Sequence, residues 1–208
     1  MKRLSIRYFV LSALAALMAM SATAQQDFIL DSENSKLLIT GTSSIHDWEM
    51  EAHTFSCETT LKLNEEKVTG IGAIDLMVKV EDLESGKRIM DNKAHDALNE
   101  KQNPQIKFKL DSGDPVTISG DKAKLAGTLE VAGKTREVEV TCDFSTVNNT
   151  TFSVQGEVPL KMTDFGIEPP TAMFGTVQTG DEILVNFDFK FNKSTDQLTG
   201  ISPERNNK

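Results

Sequence analysis

The side chains best suited to metal or acid–base chemistry are three histidines, His46, His53 and His95. A zinc site needs three or four converging ligands, and two of them normally stand at short spacing on one element. None of the three histidines stands at such spacing from another. The sequence therefore predicts isolated surface histidines and no metal site.

Cys57 and Cys142 are the two thiols of the chain. In an oxidising compartment an even pair favours a disulfide. Each cysteine also falls on the apolar side of a predicted strand, beside Phe55 and Phe144 respectively, which fits two buried free thiols equally well. A bridge depends on a Cα separation that a sequence does not supply, so both alternatives stay open.

Motifs for catalysis are missing from the chain. It contains no Gly-x-Ser-x-Gly elbow, phosphate-binding glycine loop or dinucleotide fingerprint. Acidic residues are numerous enough for the carboxylate pair of a glycoside hydrolase, but Glu137, Glu139 and Asp143 alternate outward on their strand. We therefore predict no catalytic residue and no enzymatic activity, and no cofactor other than a bound lipid.

The segment Thr163–Ile167 contains the triplet Asp-Phe-Gly between a predicted strand and Pro169. Protein kinases carry this triplet together with a lysine motif and a catalytic loop, and the chain has neither. The structural interpretation is a buried aromatic side chain that anchors a loop, with Asp164 capping a local turn. Phe165, and Met173 and Phe174 after it, could equally touch a bound molecule.

Strict alternation of apolar and polar residues dominates the rest of the chain, and it predicts half-buried strands. The alternating runs lie at 36–41, 54–63, 68–80, 106–110, 116–118, 125–131, 138–144, 152–160 and 183–191. Turn residues separate them, so we expect an all-β, antiparallel fold of about eight strands. Closure into a barrel would remove the exposed strand edges and leave room for one ligand. A two-sheet sandwich is the competing architecture.

Glycines interrupt the apolar faces of the strands at Gly72, Gly127 and Gly156. An inward glycine could keep a lumen open for a bound molecule, or it could relieve the coiling of a tightly closed sheet. For any single glycine we favour the second interpretation.

One helix is predicted, over Ser85–Asn99, with Ser85 as its N-cap. An apolar stripe of Met90, Ala94, Ala97 and Leu98 runs along one face. A single helix within an antiparallel meander suggests a cover over the open end of the barrel.

The chain divides into three parts. Residues 1–24 have the basic start, short apolar core and small terminal residues of a signal peptide cleaved after Ala24. The β-barrel domain is expected over 25–193, and 194–208 form a polar, flexible tail. We therefore expect an exported, periplasmic or secreted protein without an integral membrane segment. A formal net charge of −9 disfavours nucleic acid and anionic membranes as partners.

Several segments together resemble the YceI family of secreted, lipocalin-like, polyisoprenoid-binding proteins. They cover most of the chain from Phe28 to Asn192, and they are Ser43–Trp48, Lys87–Leu98, Asn103–Phe108, Gly127–Arg136 and Thr163–Ile167. The resemblance implies a barrel that encloses a long isoprenoid chain, such as a quinone or a polyprenyl lipid, without catalysis.

On this interpretation the alternating faces supply an apolar lumen, and the helix and neighbouring loops supply a mouth where a headgroup would lie. The predicted lumen residues are Phe55, Ile74, Leu76, Phe108, Leu129, Val140, Phe152, Val154, Val185 and Phe187. The predicted mouth residues are Arg88, Met90, Ala94, His95, Leu98, Phe165, Met173 and Phe174, with Lys93 beside them. The alternative is a structural or adhesive β domain whose core is filled by its own side chains. The sequence does not decide between a monomer and a homodimer.

Overall fold

The computed structural model describes residues 24–64, 67–111, 113, 116–148 and 150–194. The predicted signal peptide up to residue 23, and the predicted tail from residue 195, lie outside the described residues.

Within the described ranges the chain forms thirteen strands and one α-helix, α1 (Arg88–Ala97). Every strand pairing is antiparallel. The strands are β1 (Ala24–Leu30), β2 (Lys36–Ser43), β3 (Trp48–Ala52), β4 (Phe55–Asn64), β5 (Lys67–Lys79), β6 (Leu83–Glu84), β7 (Gln105–Leu110), β8 (Val116–Ser119), β9 (Lys122–Val131), β10 (Lys134–Val147), β11 (Thr151–Lys161), β12 (Thr171–Ala172) and β13 (Val177–Lys193).

Eight of these strands close into a barrel, which confirms the predicted fold class over the sandwich. The neighbours run β1-β4-β5-β7-β9-β10-β11-β13, and β13 returns to β1 through pairs such as Leu30 with Phe191. Strands β2, β3 and β6 lengthen the wall, because β2 pairs with β13 beyond β1, and β3 pairs with both β2 and β6. The barrel is therefore taller on this side.

Burial follows the alternation of the sequence. In β4 the residues Phe55, Cys57, Thr59, Leu61 and Leu63 are buried, and the residues between them are exposed or half-buried. The same period places phenylalanine and aliphatic side chains of β11 and β13 inside. Because successive strand side chains point to opposite faces, one wrong register would expose the whole apolar set.

The space beside two of the inward glycines, Gly127 and Gly156, is occupied by side chains of the neighbouring strands. A Cβ added at Gly127 would lie 2.5 Å from Cζ of Phe108 and 2.6 Å from the carbonyl oxygen of Lys109. At Gly156 a Cβ would lie 2.5 Å from Cζ of Phe187. Each missing side chain therefore makes room for a phenylalanine ring across the sheet, and neither glycine leaves open space.

We expect Gly127→Ala to lower the free energy of unfolding by about 1–3 kcal/mol, because both an aromatic ring and a backbone carbonyl would have to move. Gly70→Ala on β5 is the matched control, since the nearest neighbours of Gly70 belong to the flexible side chain of Lys62. Urea unfolding of both variants tests this. Equal stabilities would contradict the close packing of Phe108 on Gly127.

The helix begins three residues later than the sequence predicted. Lys87 occupies the N-cap without a side-chain cap bond, so the assignment of Ser85 as N-cap was wrong. Ser85 instead donates hydrogen bonds from its backbone N–H and its hydroxyl to Oδ1 of Asp91. This pair ties the incoming chain to the first turn. The apolar stripe is confirmed, because Met90, Ala94 and Leu98 pack against the core.

The loop after β11 is anchored as predicted by a buried Phe165, which packs with Val131 and Ile167 in a small separate cluster. The turn, however, is held by Asp181 and not by Asp164. Oδ1 of Asp181 accepts the backbone N–H of Thr163 at 2.9 Å, and Oδ2 accepts its hydroxyl at 2.7 Å. These hydrogen bonds hold the pKa of Asp181 below its ordinary value.

Candidate functional site

Phenylalanine rings close one end of the barrel. Phe152 stacks on Phe191 with ring centroids 4.4 Å apart and meets Phe28 edge-on at 5.0 Å. Such ring contacts stabilise the folded protein by more than the burial of the rings alone contributes. We call this layer the aromatic floor, and it consists of Phe28, Phe144, Phe152, Phe189 and Phe191.

A cavity of about 750 Å³ lies between the aromatic floor and helix α1. Its volume falls within the range of small-molecule sites, about 300–1,000 Å³. Most of its wall is aliphatic or aromatic: Leu37, Ile39, Trp48, Met50, Leu61, Ile71, Ile74, Leu76, Val78, Ile106, Phe108, Leu125, Leu129, Val131, Val138, Val140, Val154, Val158, Ile183, Val185 and Phe187. The barrel is therefore hollow and apolar.

The helix covers the end of the cavity opposite the floor. Met90, Ala94, Ala97 and Leu98 line the cavity from above. Beside them the cavity reaches the surface, where the exposed side chains of Ile45, Ile89 and Met173 border it. We call this end the mouth, and it is formed by residues 43–46, 87–93 and 170–173.

The charged side chains that line the cavity, within the described ranges, are all basic. They are Lys87, Arg88, Lys93 and Lys161. Nζ of Lys93 donates a hydrogen bond to the carbonyl oxygen of Thr171 at 2.7 Å, so it fastens α1 to β12. Positive charge at the entrance of an apolar cavity suits a ligand with a hydrocarbon tail and a polar or anionic head.

Nine of the ten predicted lumen residues line this cavity. They are Ile74, Leu76, Phe108, Leu129, Val140, Phe152, Val154, Val185 and Phe187. The exception is Phe55, which is buried and stacks on Phe189 with ring centroids 5.5 Å apart. It packs against Phe189 and does not border the cavity.

Six of the eight predicted mouth residues also line the cavity, namely Arg88, Met90, Ala94, Leu98, Phe165 and Met173. His95 does not, because its Nε2 lies 2.9 Å from the carbonyl oxygen of Leu83 and its ring faces β6. Phe174 is fully exposed outside the cavity. This hydrogen bond holds the ring of His95 against β6 and away from the cavity.

Trp48 is the most informative lining residue that the site prediction missed. Its indole N–H donates to the carbonyl oxygen of Thr42 at 3.0 Å, and its ring covers Gly41, where any side chain would clash with it. The signal was present, since Trp48, Met50 and Ala52 alternate with two glutamates. That run is β3 (Trp48–Ala52), and it lies outside the alternating runs from which the strands were predicted.

Thr59 is a polar residue inside the apolar wall. It is buried, it borders the cavity, and its hydroxyl has no hydrogen-bond partner among the described residues. Leaving a buried hydroxyl unpaired costs free energy. A ligand with a polar atom at this depth would recover that cost.

The two cysteines are both buried and free. Burial raises the pKa of Cys57 to about 12, with a further contribution from Asp75 and Glu58. Burial, and then the carboxylate of Asp143, raises the pKa of Cys142 to about 11. Of the alternatives that the sequence left open, the structure has the free thiols.

Both thiols should therefore resist maleimide in the folded protein at about pH 8, because the thiolate is the reactive form. In urea without reductant, mass spectrometry should show two labels per chain. No label in urea would indicate a disulfide instead.

Stability should also depend on pH through these two thiols. Burial raises the pKa of both thiols in the folded state above the ordinary value of 9.0, so the unfolded chain loses these protons at lower pH than the folded protein does. The free energy of unfolding should therefore fall as the pH rises from 9.0 towards about 12.

A metal site requires several ligand side chains that converge on one point. No three side chains of His, Cys, Asp or Glu come together among the described residues in a way that would hold a metal ion. Nε2 of His53 lies 3.6 Å from Oε2 of Glu84, on the outside of the barrel.

None of the helices in the described ranges is long and apolar enough to cross a membrane.

Comparison with known proteins agrees with this geometry. The chain matches the family model described as the YceI-like domain over residues 28–191. Among the curated proteins, none is similar enough to this chain to count as a match.

Solved structures with the same fold cover most of the chain. BcnA of Burkholderia cenocepacia is 20% identical with a TM-score of 0.64, over 77% of this chain and 98% of that chain. A polyisoprenoid binding domain from Saccharophagus degradans is 13% identical with a TM-score of 0.62, over 80% and 98%. A YceI protein of Campylobacter jejuni is 17% identical with a TM-score of 0.59, over 70% and 84%.

Proposed function

The chain belongs to the YceI-like family, and we propose that it binds the chain of an isoprenoid lipid, such as a quinone or a polyprenyl lipid, inside its barrel without catalysis. The observation that carries this proposal is the apolar cavity of about 750 Å³ between the aromatic floor and α1.

The cavity suits a long hydrocarbon more than a polar metabolite. Removing apolar surface from water contributes about 25 cal/mol per Å², so a flexible tail gains affinity from the wall alone. Polar side chains such as Ser43, His46, Lys87 and Arg88 gather at the mouth. The tail would therefore extend towards the floor, and the headgroup would remain at the mouth.

The similar domain from Saccharophagus degradans is described as polyisoprenoid binding, which supports the same ligand class here. The alternative of a structural or adhesive domain requires a barrel filled by its own side chains. The aromatic floor fills only one end, and the remaining interior is hollow.

Export to the periplasm is part of the proposal. Its support is the basic start of the chain, with Lys2, Arg3 and Arg7, followed by the apolar core from Phe9 to Met20 and the small residues before Gln25. Amino-terminal sequencing of protein purified from its native host should begin at Gln25. A first residue upstream of Phe9 would contradict cleavage.

Organic extraction of the same purified protein, followed by mass spectrometry, tests the binding function. We expect an isoprenoid lipid in near-equimolar amount. Protein that is consistently empty, and that also takes up no added prenylquinone or polyprenyl lipid, would contradict the proposal.

A further inference from the structure

Most of the large apolar side chains that are exposed in the described part of the chain gather around the mouth. Among the described residues the exposed large hydrophobic side chains are Ile29, Ile45, Ile89, Met173 and Phe174. Three of them border the mouth of the cavity, and Phe174 follows Met173 directly. Contiguous exposed apolar side chains mark interaction surfaces, whereas single ones do not.

The three segments that carry these side chains are fastened to one another. Lys93 of α1 donates to the carbonyl oxygen of Thr171 in β12. Strand β12 pairs with β13 through Thr171 and Gln178. Gln178 in turn exchanges hydrogen bonds with Ser44, next to Ile45, at 2.9 Å and 3.1 Å. The exposed side chains therefore form a single rim.

The backbone presents two of them in an unusual conformation. Met173 and Phe174 have φ angles of 50° and 59°, in the left-handed region that non-glycine residues rarely adopt. Such conformations persist where the surrounding structure holds them, and they cluster at functional sites. Here the turn directs the Phe174 side chain wholly into solvent.

Charge at the rim is opposite in sign to the charge of the whole molecule. The chain carries a formal net charge of −9, yet Lys87, Arg88 and Lys93 border the mouth. Asp91, on the same helix, is engaged by Ser85. Asp47 follows the Ile45 loop but borders an outer groove and not the cavity.

We propose that the mouth docks on the surface of an anionic phospholipid bilayer, with the rim side chains in the headgroup layer and the basic residues against the lipid phosphates. Apolar side chains beside lysine and arginine are the composition that binds such interfaces. The acidic remainder of the barrel is repelled by the same surface, so the molecule is oriented mouth first. The total charge had argued against an anionic membrane; the distribution of charge argues for it on this one face. A prenyl tail would then pass between bilayer and cavity without crossing water.

Flotation with vesicles tests docking independently of ligand binding, because the vesicles contain no isoprenoid lipid. We expect the purified protein to float with vesicles of equal parts phosphatidylglycerol and phosphatidylcholine, and much less with phosphatidylcholine alone. Lys87→Gln with Arg88→Gln should weaken binding about 25-fold, at about fivefold for each charge. Ile89→Gln with Phe174→Asn should weaken it at least about tenfold.

Matched controls lie at the other end of the barrel. Ile29→Gln removes an exposed isoleucine of β1, and Lys67→Gln removes an exposed lysine at the start of β5. Both variants should float to the same extent as the unchanged protein. All of the proteins compared must begin at the same residue, so that differences at the amino terminus do not affect binding. Equal flotation with both kinds of vesicle, equal loss in the controls, or a rim that instead forms a dimer in solution would overturn the proposal.

Discussion

Replacing both Val140 and Val185 with phenylalanine should lower the affinity for a prenyl lipid by at least about 100-fold. Both side chains are half-buried and border the cavity, Val140 from β10 and Val185 from β13. The added rings would occupy the space that the tail needs. Binding is measured by titrating lipid-free protein with a prenylquinone.

The fold should survive this change, because the rings enter empty space. Filling a cavity commonly raises the free energy of unfolding by about 0.5–2 kcal/mol. Thr141→Phe is the matched control, since Thr141 is the exposed neighbour of Val140 on the same strand, and it should bind normally. A folded double variant that still takes up the lipid would show that the tail lies elsewhere.

Phe152→Ala should lower the free energy of unfolding by about 3–5 kcal/mol, the usual cost of removing a buried aromatic ring from a core. Phe152 is 3% exposed and contacts Phe28, Phe144 and Phe191 through its ring. Phe152 therefore contacts three of the other four rings of the aromatic floor. Urea unfolding monitored by circular dichroism gives the value.

Phe174→Ala is the control for the same chemical change at an exposed site, and it should alter stability by less than about 0.5 kcal/mol. If Phe152→Ala cost as little as Phe174→Ala, the aromatic floor would not be the closed end of the barrel. A deeper cavity in Phe152→Ala should also accept longer tails, which a series of prenyl chain lengths would reveal.

The barrel could be predicted from sequence because its strands are half-buried. Alternation with period two, as in Phe55 to Leu63, leaves one apolar face, and hairpin turns between such runs leave few architectures. Strand β1 escaped detection although it closes the barrel, because it contributes only Phe28 and Leu30 to the core. Ile29, which lies between them and is exposed, also breaks the alternation of apolar and polar residues in this strand.

Details of the site depended on contacts between residues distant in sequence. Asp164 sits within the Thr163 turn, yet Asp181 holds that turn from the start of β13. The carbonyl of Leu83 diverts His95 from the mouth. Likewise the glycines at 127 and 156 receive rings from Phe108 and Phe187. No local pattern contains these partners.

The net charge of the chain was similarly a poor guide to its surface. An excess of acidic residues describes the average of the barrel wall, where lysines pair across strands with carboxylates, as Lys124 does with Glu139 at 2.9 Å. The mouth departs from that average. Recognition of a charged partner depends on the local electrostatic field and not on the total charge of the protein.

Trp48 provides the most direct measurement of the central claim, that the barrel cavity holds an isoprenoid tail with its head at the mouth. It is the single tryptophan of the chain, and it borders the cavity, so a bound quinone ring would quench its fluorescence. Titration of lipid-free protein with a long-chain prenylquinone should give saturable quenching at one ligand per chain, and the Val140→Phe, Val185→Phe variant should give none. Unchanged fluorescence in the native protein, or equal quenching in the variant, would contradict the account.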